Sequence, residues 1–276
     1  LPLRHKERIF GENVLSVFHI GAPDGYLALT LRYHKELMYA IDPYFGEAPY
    51  ADEEVWRFRG PHINLIVAQD FSPLHSLLNV KYVLSSVPLK APQLRHAATF
   101  HKVRIYENQE VLPRAYVVHR AEVLPRDETL DRLGSPNWNF RKKVLLSEPL
   151  TPQQREALDK APISTDSQVH ITEYAPNRVE LTVTMEHAGV LVLSDPFCRG
   201  WQSTVDGQDT EITRANHAMR ALFLNAGEHN VVFYFRPKSV VVAAFVAVAV
   251  CVLGLVVVAS SIRMWYTIFR VFHKSR

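Results

Sequence analysis

Residues that could do chemistry gather in one stretch, LVLSDPFCRGWQSTVDG, at positions 191–207. Trp201 offers an aromatic face of the kind that packs against apolar ring faces, sugar rings among them. Asp206 within the stretch, and Arg220 beyond it, could hydrogen-bond hydroxyls beside that ring. A Trp next to Gly200 in a sheet protein also serves to cap a core, and capping is the reading we favour. Asp195 ends an apolar run before Pro196, where a carboxylate bonds the backbone amides of a turn. Hydrolytic chemistry on sugars needs two carboxylates facing each other across a cleft. Asp206 would supply the second only if folding brought it near, and its place in an Asp-Gly pair makes it a turn residue first. Ser194 lacks the Gly-x-Ser-x-Gly elbow that exposes a nucleophile. Lys81 in NVKYVLSS and Arg114 in LPRAYVV stand at strand starts. There they can hold a phosphate or satisfy carbonyls at helix ends.

Other chemistries find no footing. The 13 histidines include no HExxH or His-x-His pattern, and His96 and His101 stand off one helical face. The two cysteines, Cys198 and Cys251, form no CxxC, and Cys251 lies in a long apolar run, away from a disulfide partner. No GxGxxG or Walker loop occurs. No metal, cofactor or catalytic constellation is therefore expected. A net charge of +3 argues against nucleic acid as a partner. No Asn heads an N-x-Ser/Thr acceptor.

The elements that must position these residues fall into two groups. Residues 24–41 show helical spacing, and a loop rich in Pro, Gly and acid follows to about residue 61. Ser72 and Pro73 open a short helix as cap and first residue. Strand-like runs follow at KYVLSSV, KVRIYEN, RAYVVHRAEVL and KKVLLSE, with a short helix at DETLDRL. Thr151, Pro152 and Gln154 make a capping box before QREALDK. From about 168 the period becomes two: Val179, Leu181, Val183 and Met185 alternate with polar residues, as in a half-buried antiparallel strand. GVLVLSD is apolar on both sides, as a central strand would be. WQSTVDG ends in a hairpin turn, and AMRALFLN, AGEH and NVVFYFRP read as a closing hairpin. The expected fold is an α+β module followed by an antiparallel β-sandwich and one C-terminal transmembrane helix. The boundaries are 1–163 for the module (α/β or α+β), 164–237 for the sandwich, 238–263 for the span and 264–276 for a basic tail.

The span is the sharpest signal. Val240 to Ile262 runs without a charge, long enough for a bilayer core of about 30 Å, which takes about 20 residues. Phe233, Tyr234 and Phe235 precede it, where an interfacial aromatic belt belongs. Arg236 and Lys238 stand before the span, and Arg263, Arg270, Lys274 and Arg276 after it, with no acidic residue in the tail. The positive-inside rule places the tail in the cytoplasm and the domain outside. The tail is amphipathic, either lying in the interface or continuing the span. LPLRHKERIF at the start is not a signal peptide. An outside domain without an export signal leaves two options, a fragment whose earlier spans are missing or a tail-anchored cytoplasmic protein. The absent Met favours the fragment.

Several stretches together resemble the YfhO-type bacterial integral membrane protein family. They are DGYLALTLRY with Gly25, Tyr26, Leu29 and Tyr33; LLNVKYVLS with Asn79, Lys81 and Tyr82; and IYENQEVLPRAYVV with Tyr106, Asn108, Pro113 and Arg114. Tyr174, Pro176 and Asn177 follow, then Leu193 to Asp195, Gly200 and Trp201, Asp206 and Gly207, Asn216 and Arg220, Gly227 and His229, and Pro237. Before Gly200 the family has two aromatics and a proline where this chain has Phe197, Cys198 and Arg199. The resemblance implies a C-type glycosyltransferase-like parent with many spans, a polyprenyl-phosphate sugar donor and an envelope acceptor. It implies a catalytic acid in an early loop between N-terminal spans that this sequence does not include. Under that reading the partners are the membrane, a lipid-linked sugar or envelope glycan, and the missing spans. Trp201, Asp206, Asn216 and Arg220 become candidate glycan or acceptor contacts, and Lys81 and Arg114 candidate phosphate contacts. The alternative is a non-enzymatic, membrane-anchored glycan-binding or assembly module.

Overall fold

The computed structural model describes residues 32–41, 71–85, 88–101, 103–135, 137–162 and 166–274. Helices are α1 (Arg32–Ile41), α2 (Pro73–Leu77), α3 (Arg126–Gly134), α4 (Pro152–Lys160) and α5 (Lys238–Lys274). The helix read over 24–41 is seen as α1; its start at 24–31 and the following loop lie outside the described residues. The caps fall where the sequence puts them. Ser72 Oγ accepts from the Leu74 N–H, and Thr151 and Gln154 complete the reciprocal capping box of α4.

Three sheets follow. Strands β1 (Tyr82–Ser85), β3 (Val103–Asn108) and β2 (Leu94–Phe100) form a small antiparallel sheet in the order β1-β3-β2. A five-stranded sheet runs β11-β10-β14-β8-β7, with β7 Ser167–Ala175, β8 Arg178–Met185, β10 Trp201–Val205, β11 Gln208–Thr210 and β14 Gly227–Phe235. A six-stranded sheet runs β4-β9-β13-β12-β6-β5, with β4 Ala115–Val118, β5 Ala121–Val123, β6 Val144–Leu146, β9 Gly189–Pro196, β12 Thr213–Ala215 and β13 Met219–Leu224. Every pairing of these strands is antiparallel except β5 with β6.

The two larger sheets face each other across a core of Val179, Leu181, Val183, Val231 and Phe233 on one side and Leu191, Leu193, Leu222 and Leu224 on the other. The six-stranded sheet buries its second face too. Val190, Val192, Met219 and Ala221 there join Leu37 of α1, Leu77 of α2, Leu133 of α3 and Leu158 of α4 in a second core. A strand covered on both sides has no polar face, which explains the unbroken apolar run of β9. Three strands of this sheet come from before residue 163 and three from after it. The sheet thus spans the line drawn there from the change in period.

Two expectations are corrected. AMRALFLN and NVVFYFRP do not form a hairpin: β13 pairs with β9 and β12, whereas β14 pairs with β8 and β10. The segment between them crosses from one sheet to the other. Phe233 is no belt residue, being fully buried between the sheets, whereas Phe235 two positions on is 39% exposed. The alternation of β14 sends the two side chains of that pair to the same face, but only Phe235 lies beyond the end of the opposing sheet's core.

α5 is one uninterrupted helix of 37 residues, about 55 Å at 1.5 Å per residue. The tail therefore continues the span. Phe245–Met264 within it is long and apolar enough to cross a membrane, and none of it is buried within the fold. Its hydroxyls are satisfied internally, Ser260 and Ser261 donating to the carbonyls of Val256 and Val257 at 2.8 and 2.9 Å. That removes the cost of unpaired polar groups in lipid.

Candidate functional site

The period-two pattern of β9 continues past its leucines. Leu191, Leu193 and Asp195 all point between the sheets, and Arg220 precedes Leu222 and Leu224 on the same inner face of β13. The strands thus carry a carboxylate and a guanidinium into the end of the core. Both side chains are almost sealed, 8% and 4% exposed, and Arg220 Nη2 donates to Asp195 Oδ2 at 3.1 Å. A register irregularity in the β9–β13 pairing, between Met219 and Arg220, accompanies this contact.

Asp195 serves two more donors. Arg114, just before β4, donates from Nη1 to Oδ1 at 3.0 Å, and the Tyr174 hydroxyl of β7 donates to the same oxygen at 3.0 Å. Arg114 also donates to the Tyr174 hydroxyl at 3.0 Å. Tyr174 is 54% exposed overall, yet its hydroxyl turns inward onto this carboxylate. Burial, and then the Asp195 charge, push its pKa upward, so it stays a neutral donor. Burial lowers the pKa of Arg220 and Asp195 opposes this, so the carboxylate is what keeps the arginine comfortably charged.

Trp201 completes the cluster. Its ring lies 3.8 Å from the Arg220 guanidinium carbon, with Phe233 5.7 Å away on the same cation. Arg220 Nε and Nη1 have no hydrogen-bond acceptor among the described residues. The negative ring face of Trp201 offsets their charge instead. Trp201 is half-buried against the inter-sheet core and packs on Phe235 at 5.6 Å. One face that a sugar would need is thus occupied by Arg220, and the ring closes the end of the sandwich.

The structure brings together Asp195, Trp201, Arg220 and Arg114 of the residues singled out, and leaves Asp206, Asn216 and Lys81 elsewhere. Asp206 sits beyond the other end of β10, five residues or about 17 Å from Trp201. It forms the β10–β11 turn with Gly207, both at positive φ, 54° and 79°. Its carboxylate accepts from His229 Nδ1 and from the Asn230 N–H, each at 2.8 Å, and these bonds lower its pKa. It cannot act as a second carboxylate for Asp195. Asn216 is fully buried, which excludes a glycan from its side chain. It turns the chain between β12 and β13 at φ 42° and accepts from the Leu145 N–H at 3.1 Å while donating to the Tyr116 hydroxyl at 3.2 Å. Lys81 is exposed beside the small sheet, its amine 5.4 Å from the Tyr82 ring. It shares no hydrogen bond or ion pair with Arg114 among the described residues. Ser194 donates to the Leu77 carbonyl at 3.1 Å, fastening α2 to the sheet.

Asp195 is placed differently from the sequence reading: it bonds three side chains rather than turn amides. Tyr174 is a further member that sequence reasoning missed. The signal was present in the inward phase of residues 191, 193 and 195, which predicts a buried carboxylate in need of cations. A second polar cluster was missed altogether. Glu36 of α1 accepts from Arg32 at 3.0 Å, from Arg126 of α3 and from the buried His217 at 2.8 Å. The Tyr33 ring lies beneath Arg214 at 3.7 Å and Arg126 at 5.1 Å. Desolvation lowers the His217 pKa despite the nearby carboxylate, so a neutral Nε2–H donates to Glu36. A cleft of about 330 Å³ beside Trp138, lined by Glu122, Arg132 and Lys143 among others, includes none of the residues of either cluster.

Chemically, the inter-sheet cluster can hold and orient. Its one carboxylate is committed to two arginines and a tyrosine, and the Ser194 hydroxyl is committed to the Leu77 carbonyl. Residues 150–247 match the family model described as bacterial membrane protein YfhO. No curated protein and no solved structure matches the chain. The match runs from α4 through β14 into the first turns of α5 and contains Tyr174, Asp195, Trp201 and Arg220. Over this segment, about a third of its length, the chain is similar to the YfhO family of bacterial membrane proteins.

Proposed function

We propose that the chain is the extracytoplasmic C-terminal region and last span of a polytopic cell-envelope glycosyltransferase. Its parent would move a sugar from a polyprenyl-phosphate donor to an envelope polymer or lipid, with catalysis in other membrane segments. The role of this region is to cover the membrane site and help position the acceptor. The observation that carries this reading is the position of the Arg114–Asp195–Arg220–Trp201 cluster. It closes the end of the sandwich from which the chain passes, through Arg236 and Pro237 alone, into α5. The end of the sandwich that this cluster closes and stiffens is thus held beside the start of the span. The excess of basic residues after the span supports an outside domain.

The test is thiol accessibility in intact bacteria. A Cys251→Ala background leaves Cys198 as one reporter, and Glu211→Cys adds an exposed one between β11 and β12. We expect an impermeant maleimide to label the domain from outside. Protection of both thiols until the cells are broken would place the domain inside and overturn the proposal. Glycosyl transfer by this chain alone would overturn the division of labour with the rest of the parent.

A further inference from the structure

The two ends of the sandwich differ in chemistry. At the end remote from α5, the turns and strand ends expose Glu186, Asp206 and Glu228. At the near end, Phe235 is 39% exposed and Tyr174 54%, and Arg199 and Arg236 are exposed. Neither of these arginines pairs with a carboxylate among the described residues. One end is acidic; the other is cationic and aromatic, the composition that settles at a membrane interface.

The near end is also held at the right depth. α5 starts at Lys238, and its membrane-crossing window starts at Phe245. Seven residues of helix span about 10 Å. The headgroup layer adds about 5–8 Å to each side of the hydrocarbon core. The loop carrying Arg199 and the last residues of β14 therefore sit just outside the headgroup layer, near enough for long arginine side chains to extend into it. Gly200 ties that loop to the chain leaving the sheet, its carbonyl accepting from the Arg236 N–H at 2.7 Å. A Cβ at Gly200 would meet Phe235 and Pro237 at 2.9 Å, so the contact is close and leaves the loop little freedom.

We infer that this end of the sandwich docks on the headgroups of anionic phospholipids in the bilayer that α5 crosses. Arg199 and Arg236 pair with lipid phosphates, while Phe235 and Tyr174 sink their rings among the headgroups. The acidic far end is repelled by the same surface, so docking fixes the domain upright. The inference rests on α5 as a span and not on the sugar-transfer reading. It holds for either side of the membrane.

Cys198, beside Arg199 and partly exposed, is a native reporter. The full chain carrying Cys251→Ala is spin-labelled at Cys198 and placed in nanodiscs of phosphatidylcholine, with or without a third of phosphatidylglycerol. Collision rates with oxygen and with a water-soluble nickel chelate report depth. We expect the anionic lipid to raise the oxygen-to-nickel collision ratio, with about a fivefold change in the docked-to-undocked ratio per arginine. High salt should reverse the change. Arg199→Glu with Arg236→Glu should abolish the lipid dependence, and the milder Arg199→Gln with Arg236→Gln should reduce it. Equal collision ratios in the two lipids for the parent chain would overturn the inference. So would a lipid dependence that survives charge reversal in a variant with unchanged melting temperature.

Discussion

Asp195 carries the sharpest energetic prediction. Asp195→Asn keeps the size and one acceptor oxygen but removes the charge. Arg220, 4% exposed, then becomes a buried cation with only the Trp201 face beside it. Arg114 loses its carboxylate as well, although its side chain, 31% exposed, can turn toward water. Removing one partner of a buried ion pair costs about 3–5 kcal/mol. Arg220→Met is the complementary change. It leaves Asp195 with Arg114 and the Tyr174 hydroxyl, so the carboxylate stays paired, and the loss should be about 1–3 kcal/mol. The double variant should cost less than the sum of the singles, because losing the Asp195 charge strands no buried cation once the guanidinium at 220 is gone too. The assay is thermal unfolding of the full chain in detergent, followed by tryptophan fluorescence. At about 2–4 °C per kcal/mol, Asp195→Asn should lower Tm by about 6–20 °C. The reasoning fails if Arg220→Met costs more than Asp195→Asn, or if Asp195→Asn costs under about 1 kcal/mol. Either result would mean that Arg220 is solvated or held by something other than Asp195.

Trp201→Ala should lower stability by about 3 kcal/mol, the low end for a Trp truncation because the ring is only half-buried; unchanged melting with lost glycan binding would restore the sugar-platform reading. Asn216→Ala should cost about 2–4 kcal/mol, since it strands the Leu145 N–H and strains a residue at φ 42°. Asn216→Gly should recover about 1 kcal/mol of that, and equal costs for the two variants would show that the backbone contributes nothing. His217 has a lowered pKa in the fold, so the unfolded chain takes up its proton first as pH falls below the ordinary value of 6.5. Stability is then lost as pH falls below that value and levels off below the folded pKa. His217→Asn, which suits the left-handed backbone, should flatten this component of the urea midpoint between about pH 7.5 and about pH 5.5; the same loss in parent and variant would contradict it.

Local signals carried far along this chain, and they stopped where contacts became long-range. The caps at Ser72 and Thr151, the I′-type turn at Asp206-Gly207 and the apolar helix each depend on a few adjacent residues, and each reads directly from the sequence. β2 was missed because all its residues but Leu94 are exposed, so it has no alternation to betray it. β11 and β12, of three residues each, are too short for a period to show. The crossing between β13 and β14 was read as a hairpin because turn residues mark a reversal without saying which sheet the chain reverses into.

The same limit decides what was visible of the site. Arg220 and Trp201 looked available to a ligand because nothing beside them in sequence claims them. What claims them comes from elsewhere: Arg220 is held by Asp195 of β9, and Asp195 in turn by Arg114, 81 residues before it, and by Tyr174 from the edge of the opposing sheet. Glu36 and His217 lie 181 residues apart. Once those contacts form, the polar residues inside the sandwich are spent on each other, and Asn216 and Ser194 are spent on the backbone. Ligand recognition must then come from side chains the fold leaves over. On the sandwich these include the rim arginines Arg199 and Arg236, with Phe235 and the outer face of Tyr174. All four lie at the end where the chain leaves for the membrane.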